Sequence, residues 1–488
     1  MRMHDRKPLL TLSLVVLLSL LGAAATTAAP PMASQAAPQA APPLAITPPA
    51  TTPGIYMAFT DWFPEDPARY SHQGEFVVFN WDYLQADDGE LVASRIRGFL
   101  ERRAAQGLKA AFGISAYAGR GGGGIKLPKY LRDNPEAVVD VGDGWLIPRY
   151  WSPVYLEAYN RLVSQIAVRF RGDPRLEFIA IGTGRYGETQ ACDDQDDAAM
   201  MAAGLNSDVW IDAVEQMTDS WLHWFDPDGN GLQTGLSQQV AGYTFNARER
   251  REISWYSAQR GIGLSINGLY PQQAGAVMSG GSCPSCGMYD GILAFWEMVP
   301  IAFETYHYML CDTQEVYWGM ISGLDKHADY LRLQKDLFFE LNPDGSKGPD
   351  RPENLEIFEW VSPYLGATVN DTPSVWVALR APRFPYRTCW QDAGSTVYET
   401  GIEPGNFSFW LDQDDTIPGG KTVPEANTCC DRSGIPLEYI GDNTDPYNPN
   451  LPSGREGWVI RRTDQATGNP YMWLKIDDGY IHGGWNTV

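Results

Sequence analysis

Leu176-Glu-Phe-Ile-Ala-Ile-Gly-Thr-Gly-Arg-Tyr-Gly-Glu188 is the stretch that decides how this chain is read. Its first six residues form an apolar run of strand length, too short for a helix. Three glycines among the next six residues stop the strand and turn the chain, and the turn delivers a carboxylate. Helical periodicity precedes the run over 155–170 and follows it over 208–225. A strand enclosed by helices on both sides implies a parallel sheet with crossover connections.

The same alternation extends in both directions. Strand patterns occupy 55–61, 76–81, 109–117, 176–181, 233–240, 261–267, 298–304 and 330–336. Helical patterns lie over 90–106, 155–170, 208–225 and 246–260, with a shorter one at 317–324. Eight strands in this order predict closure into a barrel. An open doubly wound sheet would place a glycine-rich turn after its first strand, where this chain has Trp62-Phe-Pro-Glu-Asp-Pro67. The Gly121–Gly124 run follows the third strand, whereas barrel phosphate sites favour the loops after the seventh and eighth, so it reads as a loop.

The expected fold class is therefore α/β, a (β/α)8 TIM barrel over 55–345. Beyond it glycine, proline, asparagine and aspartate become frequent, and short alternating runs surround Trp376, Trp410 and Trp473. These predict an all-β, sandwich-like accessory domain over 365–488. Its last residues read as the opening of another strand, so a longer protein is expected.

The 488 residues carry a formal net charge of −23, which disfavours nucleic acid and anionic lipid as partners. Arg2, Arg6 and Lys7 precede an apolar run over 9–21 and then small residues. That order predicts a signal peptide over 1–28 and a secreted or cell-surface protein. An Ala/Pro-rich linker over 29–54 follows, and no second segment is apolar enough to span a membrane. Seven cysteines are present, at 192, 283, 286, 311, 389, 429 and 430. Export permits disulfides, and Cys283-Pro-Ser-Cys286 reads as a loop staple.

Two glutamates fall where a barrel gathers its chemistry, at the C-terminal ends of strands. Glu188 follows the fourth strand, and Glu304 closes Met298-Val-Pro-Ile-Ala-Phe-Glu304, the seventh. One carboxylic acid and one carboxylate facing each other can break a glycosidic bond. Glu297 precedes the seventh strand and is expected at the opposite end, in a stabilising role. Trp62, Asn80, Trp81, Tyr117, Arg185, Gln238, Asn267, Tyr270, His307 and Gln334 follow or end strands and are expected to contact an oligo- or polysaccharide. No cofactor or metal is expected. The six histidines lack ligand spacing, and Asp226-Pro-Asp-Gly-Asn-Gly231 has Ser237 where a calcium loop needs glutamate, so it reads as a polar turn. No Gly-x-Ser-x-Gly elbow marks a serine hydrolase.

Asn80-Trp-Asp-Tyr-Leu-Gln-Ala-Asp-Asp-Gly-Glu90, Tyr150-Trp-Ser-Pro-Val-Tyr155 and Gly184-Arg-Tyr-Gly-Glu188 together resemble clan A glycoside hydrolases of the β-galactosidase-like type. The resemblance covers about residues 55–340. It implies a retaining glycoside hydrolase with Glu188 as acid/base and Glu304 as nucleophile. One position departs from the pattern. The clan carries asparagine before the acid/base, where it binds the sugar 2-hydroxyl, and this chain carries Gly187. That departure keeps open a second reading, a non-catalytic carbohydrate-binding or cell-surface protein on a degenerate barrel.

Overall fold

The computed structural model describes residues 51–58, 67–240, 247–267, 269, 290–305, 310 and 313–367, and beyond these only the backbone of short paired strands. Eight strands form the barrel: β1 (Gly54–Ala58), β2 (Gly74–Asn80), β3 (Lys109–Ser115), β6 (Leu176–Ile181), β7 (Gly235–Gln239), β8 (Gly263–Asn267), β9 (Ile301–Thr305) and β10 (Tyr330–Gln334). They close in that order, with β10 returning to β1, and every pairing is parallel. Each expected strand is present, most of them shorter at one or both ends.

The outer layer is helical. It comprises α2 (Ala93–Ala105), α4 (Pro153–Phe170), α6 (Ser207–Phe225), α7 (Ala247–Ala258), α8 (Asp290–Phe295), α9 (Thr313–Asp325) and α10 (Pro352–Val361). In α4, Pro153 begins the helix where its missing N–H costs nothing, and Tyr155, Tyr159, Leu162, Val163 and Ile166 form the buried stripe. The Asn206 side chain caps α6 by accepting from the Val209 N–H at 3.1 Å. Among the described residues, only a 3-10 turn, Pro67–Tyr70, stands between β1 and β2. After β3 the chain makes an excursion through α3 (Lys129–Arg132) and the antiparallel pair β4 (Val138–Asp140) and β5 (Leu146–Pro148).

The barrel interior is a packed core at its lower half. Tyr56, Phe76, Phe178 and Tyr330 fill the floor, with the rings of Phe178 and Tyr330 5.0 Å apart. Alanines at 58, 111, 180 and 302 belong to the same cluster, with Ala111 in register with Phe76 and Phe178 and Ala302 with Tyr330.

The barrel core continues past the expected limit at 345. Phe358 and Val361 of α10 and Leu365 belong to the same buried cluster as β9 and β10. Farther on, Trp376–Leu379 pairs antiparallel with Asn406–Phe409, and Leu411–Gln413 with Leu474–Ile476. The expected sandwich core, the signal peptide, the linker up to residue 50 and six of the seven cysteines lie outside the described residues, and Gly54, expected to end the linker, already belongs to β1. Cys192 is described: it is buried and free, its thiol donating to Asp197 at 3.3 Å. The 226–231 segment is a turn closed by the Gly231 N–H on the Asp226 carboxylate at 3.0 Å. Among the described residues no helix is long and apolar enough to cross a membrane.

Candidate active site

A cavity of about 550 Å³ opens at the C-terminal mouth. Glu188 and Glu304 both line it, at 8% and 5% exposure. Glu304 comes directly from β9, on the inward face of the strand. The parallel register sets Asn267 of β8 beside it on one side and Arg332 of β10 on the other.

Glu188 arrives by a different route. The strand β6 ends at Ile181, and a compact turn carries the chain back over the mouth. The Tyr186 N–H donates to the Tyr117 carbonyl at 2.7 Å, and the Glu188 N–H to the Arg185 carbonyl at 2.9 Å. The Thr183 hydroxyl donates to the Glu188 carbonyl at 3.0 Å. Gly187 sits at φ +88°, and a Cβ there would meet the Ile114 carbonyl oxygen at 2.7 Å. An asparagine is therefore excluded from this position by the backbone itself. Across the cavity, Asn267 donates through Nδ2 to Glu188 Oε1 at 2.6 Å.

The electrostatics separate the two carboxyl groups. Burial raises Glu188 first, and the charge of Glu304 raises it further, to about 8, against opposing pulls from Arg332, Arg185 and a Gln239 hydrogen bond. Burial also raises Glu304, and Arg332 and Gln239 oppose the rise. Glu188 thus holds the proton at neutral pH, while Arg332 and Gln239 favour the ionised form of Glu304. Arg332 is 1% exposed and lies 3.2 Å from Glu304. It is fixed from below by the Phe76 ring, 4.6 Å from its guanidinium carbon, and by donation to Ser265 at 2.5 Å and to Gln239. The Gln239 amide donates to Glu304 at 3.4 Å and also bonds Glu188, so it stands between the pair.

A raised carboxyl does not by itself mark chemistry. Glu75 is also raised by burial, to about 7, yet it is paired with the buried Arg103 between β2 and α2. Asp329 is raised by burial to about 7 and accepts from the Ile301 N–H at 2.7 Å, fixing the start of β9. Among the described residues, only Glu188 and Glu304 combine the shift with a shared cavity.

Of the residues expected on the rim, Asn80, Arg185, Asn267 and Gln334 line the cavity. Three others do not. Trp81 is fully buried, because β2 runs straight into the short helix α1 (Trp81–Leu84) and turns the indole outward; it donates to Gln85 and packs edge-on against Tyr155 and Tyr159. Tyr117 donates its hydroxyl to Asp193 at 2.7 Å and serves the turn through its carbonyl. Gln238 has the wrong parity: it faces the helices and donates to Thr183 at 3.3 Å. Its neighbour Gln239 faces inward instead. Trp62, Tyr270 and His307 lie outside the described residues. Glu297 precedes β9 and is exposed.

The sequence reading missed Gln239, Arg332, Tyr186 and Gln190. Arg332 had a signal, a lone charge inside an apolar strand. Tyr186 had none in its own type. It is 40% exposed on the cavity wall, at φ +56°, with the Arg185 guanidinium 4.8 Å from its ring centre.

No protein-family model matches the chain, and no curated protein matches it. Among solved structures, the catalytic domain of β-amylase from Paenibacillus polymyxa aligns with 64% of this chain and 100% of its own, at 11% identity and a TM-score of 0.46. A glycoside hydrolase family 5 enzyme from Prevotella bryantii B14 aligns with 60% of this chain and 83% of its own, at 11% identity and a TM-score of 0.37. Endo-glycoceramidase II from a Rhodococcus species aligns with 64% and 81%, at 12% identity and a TM-score of 0.37. At these identities and scores the likenesses decide nothing about this chain. Its barrel is established by its own strand pairing.

Proposed function

We propose that this chain is a secreted glycoside hydrolase that cleaves O-glycosidic bonds with retention of configuration. One observation carries the reading: two buried carboxyls, from the fourth and seventh strands of the barrel, share one cavity, one holding a proton and the other facing an arginine. Export rests on the 1–28 sequence pattern.

In this mechanism Glu188 gives its proton to the glycosidic oxygen as the C1–O bond breaks. Glu304 attacks C1 and forms a glycosyl ester. Water then attacks C1, Glu304 leaves as carboxylate, and Glu188 recovers a proton from that water. In the first step the negative charge passes from Glu304, which becomes a neutral ester, to Glu188, whose carboxylate Asn267 is placed to bond. Retention calls for carboxyl groups about 5–5.5 Å apart, whereas inversion suits roughly 6.5–9.5 Å.

The test is a screen of chromogenic glycosides and polysaccharides, with Glu188→Gln and Glu304→Gln as controls. Hydrolysis by the wild type that both variants lose supports the reading. Saccharide binding without hydrolysis would establish the non-catalytic alternative.

A further inference from the structure

We infer that the cavity takes an uncharged, hydroxyl-bearing glycan and excludes uronate, sulfate and free-amino sugars. The inference rests on the glycosidase reading and adds to it the class of substrate.

The wall chemistry comes first. Five carboxamides line the cavity: Asn80, Gln190, Gln239, Asn267 and Gln334. A carboxamide both donates and accepts, and so does a hydroxyl, so the two match in either direction. Carboxylates and sulfates only accept, and they are held by cations in fixed geometry.

The cations are already engaged. Arg332 is enclosed in the barrel and faces Glu304. Arg185 is bound to Asp193 at 2.9 Å and to Gln190 at 3.2 Å. Among the described residues no lysine or histidine lines the cavity. Each of the two arginines at this volume thus already faces an acidic partner, Arg332 facing Glu304 and Arg185 facing Asp193. An anionic sugar would bring an unpaired charge into this volume, beside Glu304, and would be disfavoured by both burial and repulsion.

By sequence, the segments that continue β1, β7, β8 and β9, at 59–66, 241–246, 268–289 and 306–312, contain no lysine or arginine and a single histidine, His307. They do contain Asp61, Glu65, Asp66 and Asp312. The covalent continuation of these strands therefore supplies no lysine or arginine.

A cationic sugar fails for a different reason. An ammonium beside Glu188 would favour its ionised form and remove the proton that the first step transfers. Neutral hydroxyls leave that proton in place.

The experiment uses the full chain with matched pairs: each neutral chromogenic glycoside against its uronide, its sulfate ester and its free-amino analogue, carrying the same aglycone. The expected result is a kcat/KM at least a hundredfold higher for the neutral member. A ratio below tenfold, or a preference for a charged member, overturns the inference. Calorimetric binding of neutral, uronate and amino oligosaccharides is measured in parallel. A neutral preference in binding without turnover would sink the hydrolase reading and keep this one. Charged oligosaccharides bound as well as neutral ones, or no binding by any, would overturn it.

Discussion

The two ends of the barrel each bury glutamate and treat it differently. At the floor, Glu177 accepts from the Tyr330 hydroxyl at 2.9 Å and from the Thr52 N–H, with Lys109 at 3.9 Å. The Tyr56 hydroxyl donates to the Thr52 carbonyl at 3.1 Å, so the chain entering the barrel closes the network. Backbone and phenol groups held by aromatic packing satisfy that carboxylate. At the mouth, Glu188 and Glu304 face open volume, and their partners are side-chain amides and one guanidinium. A floor carboxylate is a fastening. The mouth carboxyls keep the freedom to exchange a proton and to meet a ligand.

The largest expected effect separates the two ends outright. Glu304→Gln should lower kcat/KM by about a thousandfold or more, as removal of a nucleophile does. Glu177→Gln should leave kcat near wild type and cost about 1–3 kcal/mol of stability, measured by urea denaturation. Equal losses of activity from both would erase the distinction between the ends.

Glu188→Gln should lower kcat by about a hundredfold to ten-thousandfold and abolish the alkaline limb near the group's value of about 8. The same substitution has a signed effect on stability. The folded value of Glu188 lies above its unfolded value of about 4.3, so the folded state holds the extra proton between the two. Wild-type stability from this group is therefore full at low pH and falls as pH rises to about 8. Thermal melts should place Glu188→Gln above wild type at alkaline pH and level with it at acid pH. Melting curves with the opposite trend would deny that the mouth holds this carboxyl protonated.

Arg332→Met leaves Glu304 buried without its cation. A loss of about 3–5 kcal/mol is expected, together with an upward move of the acidic limb of kcat/KM, because Arg332 opposes the rise in Glu304. A destabilised variant with an unmoved limb would reduce Arg332 to packing.

The smallest effect concerns Tyr186, whose backbone occupies the left-handed region that glycine tolerates. Tyr186→Gly should gain about 1 kcal/mol of stability by relieving that strain and raise KM about tenfold by removing an aromatic wall from the cavity. Stability gained with KM unchanged would make the strained tyrosine a feature of the turn alone.

The difference between floor and mouth also explains what could be read from the sequence. The eight strands were legible because apolar runs, glycine turns and amphipathic helices alternate along the chain, and closure was legible because eight strands follow one another without the glycine-rich first turn of an open sheet. The carboxyl pair was legible because strand ends define the mouth. Which neighbour of a strand end faces inward was not, because a one-residue change of parity exchanges Gln238 for Gln239. Trp81 was lost to a helix that begins immediately after β2, and Arg332, a lone charge inside an apolar strand, was not singled out. The link between Asn267 and Glu188 joins positions 79 residues apart, and only the strand order brings them together.

The central claim is that Glu304 is the nucleophile and Glu188 its acid/base. The most direct test is to incubate the enzyme with a 2-deoxy-2-fluoro glycoside of whichever sugar the substrate screen identifies, digest it, and locate the adduct by peptide mass spectrometry. A fluoroglycosyl ester on the peptide containing Glu304 is the expected result. An ester on any other residue, or inversion at the anomeric carbon with no adduct, would contradict it.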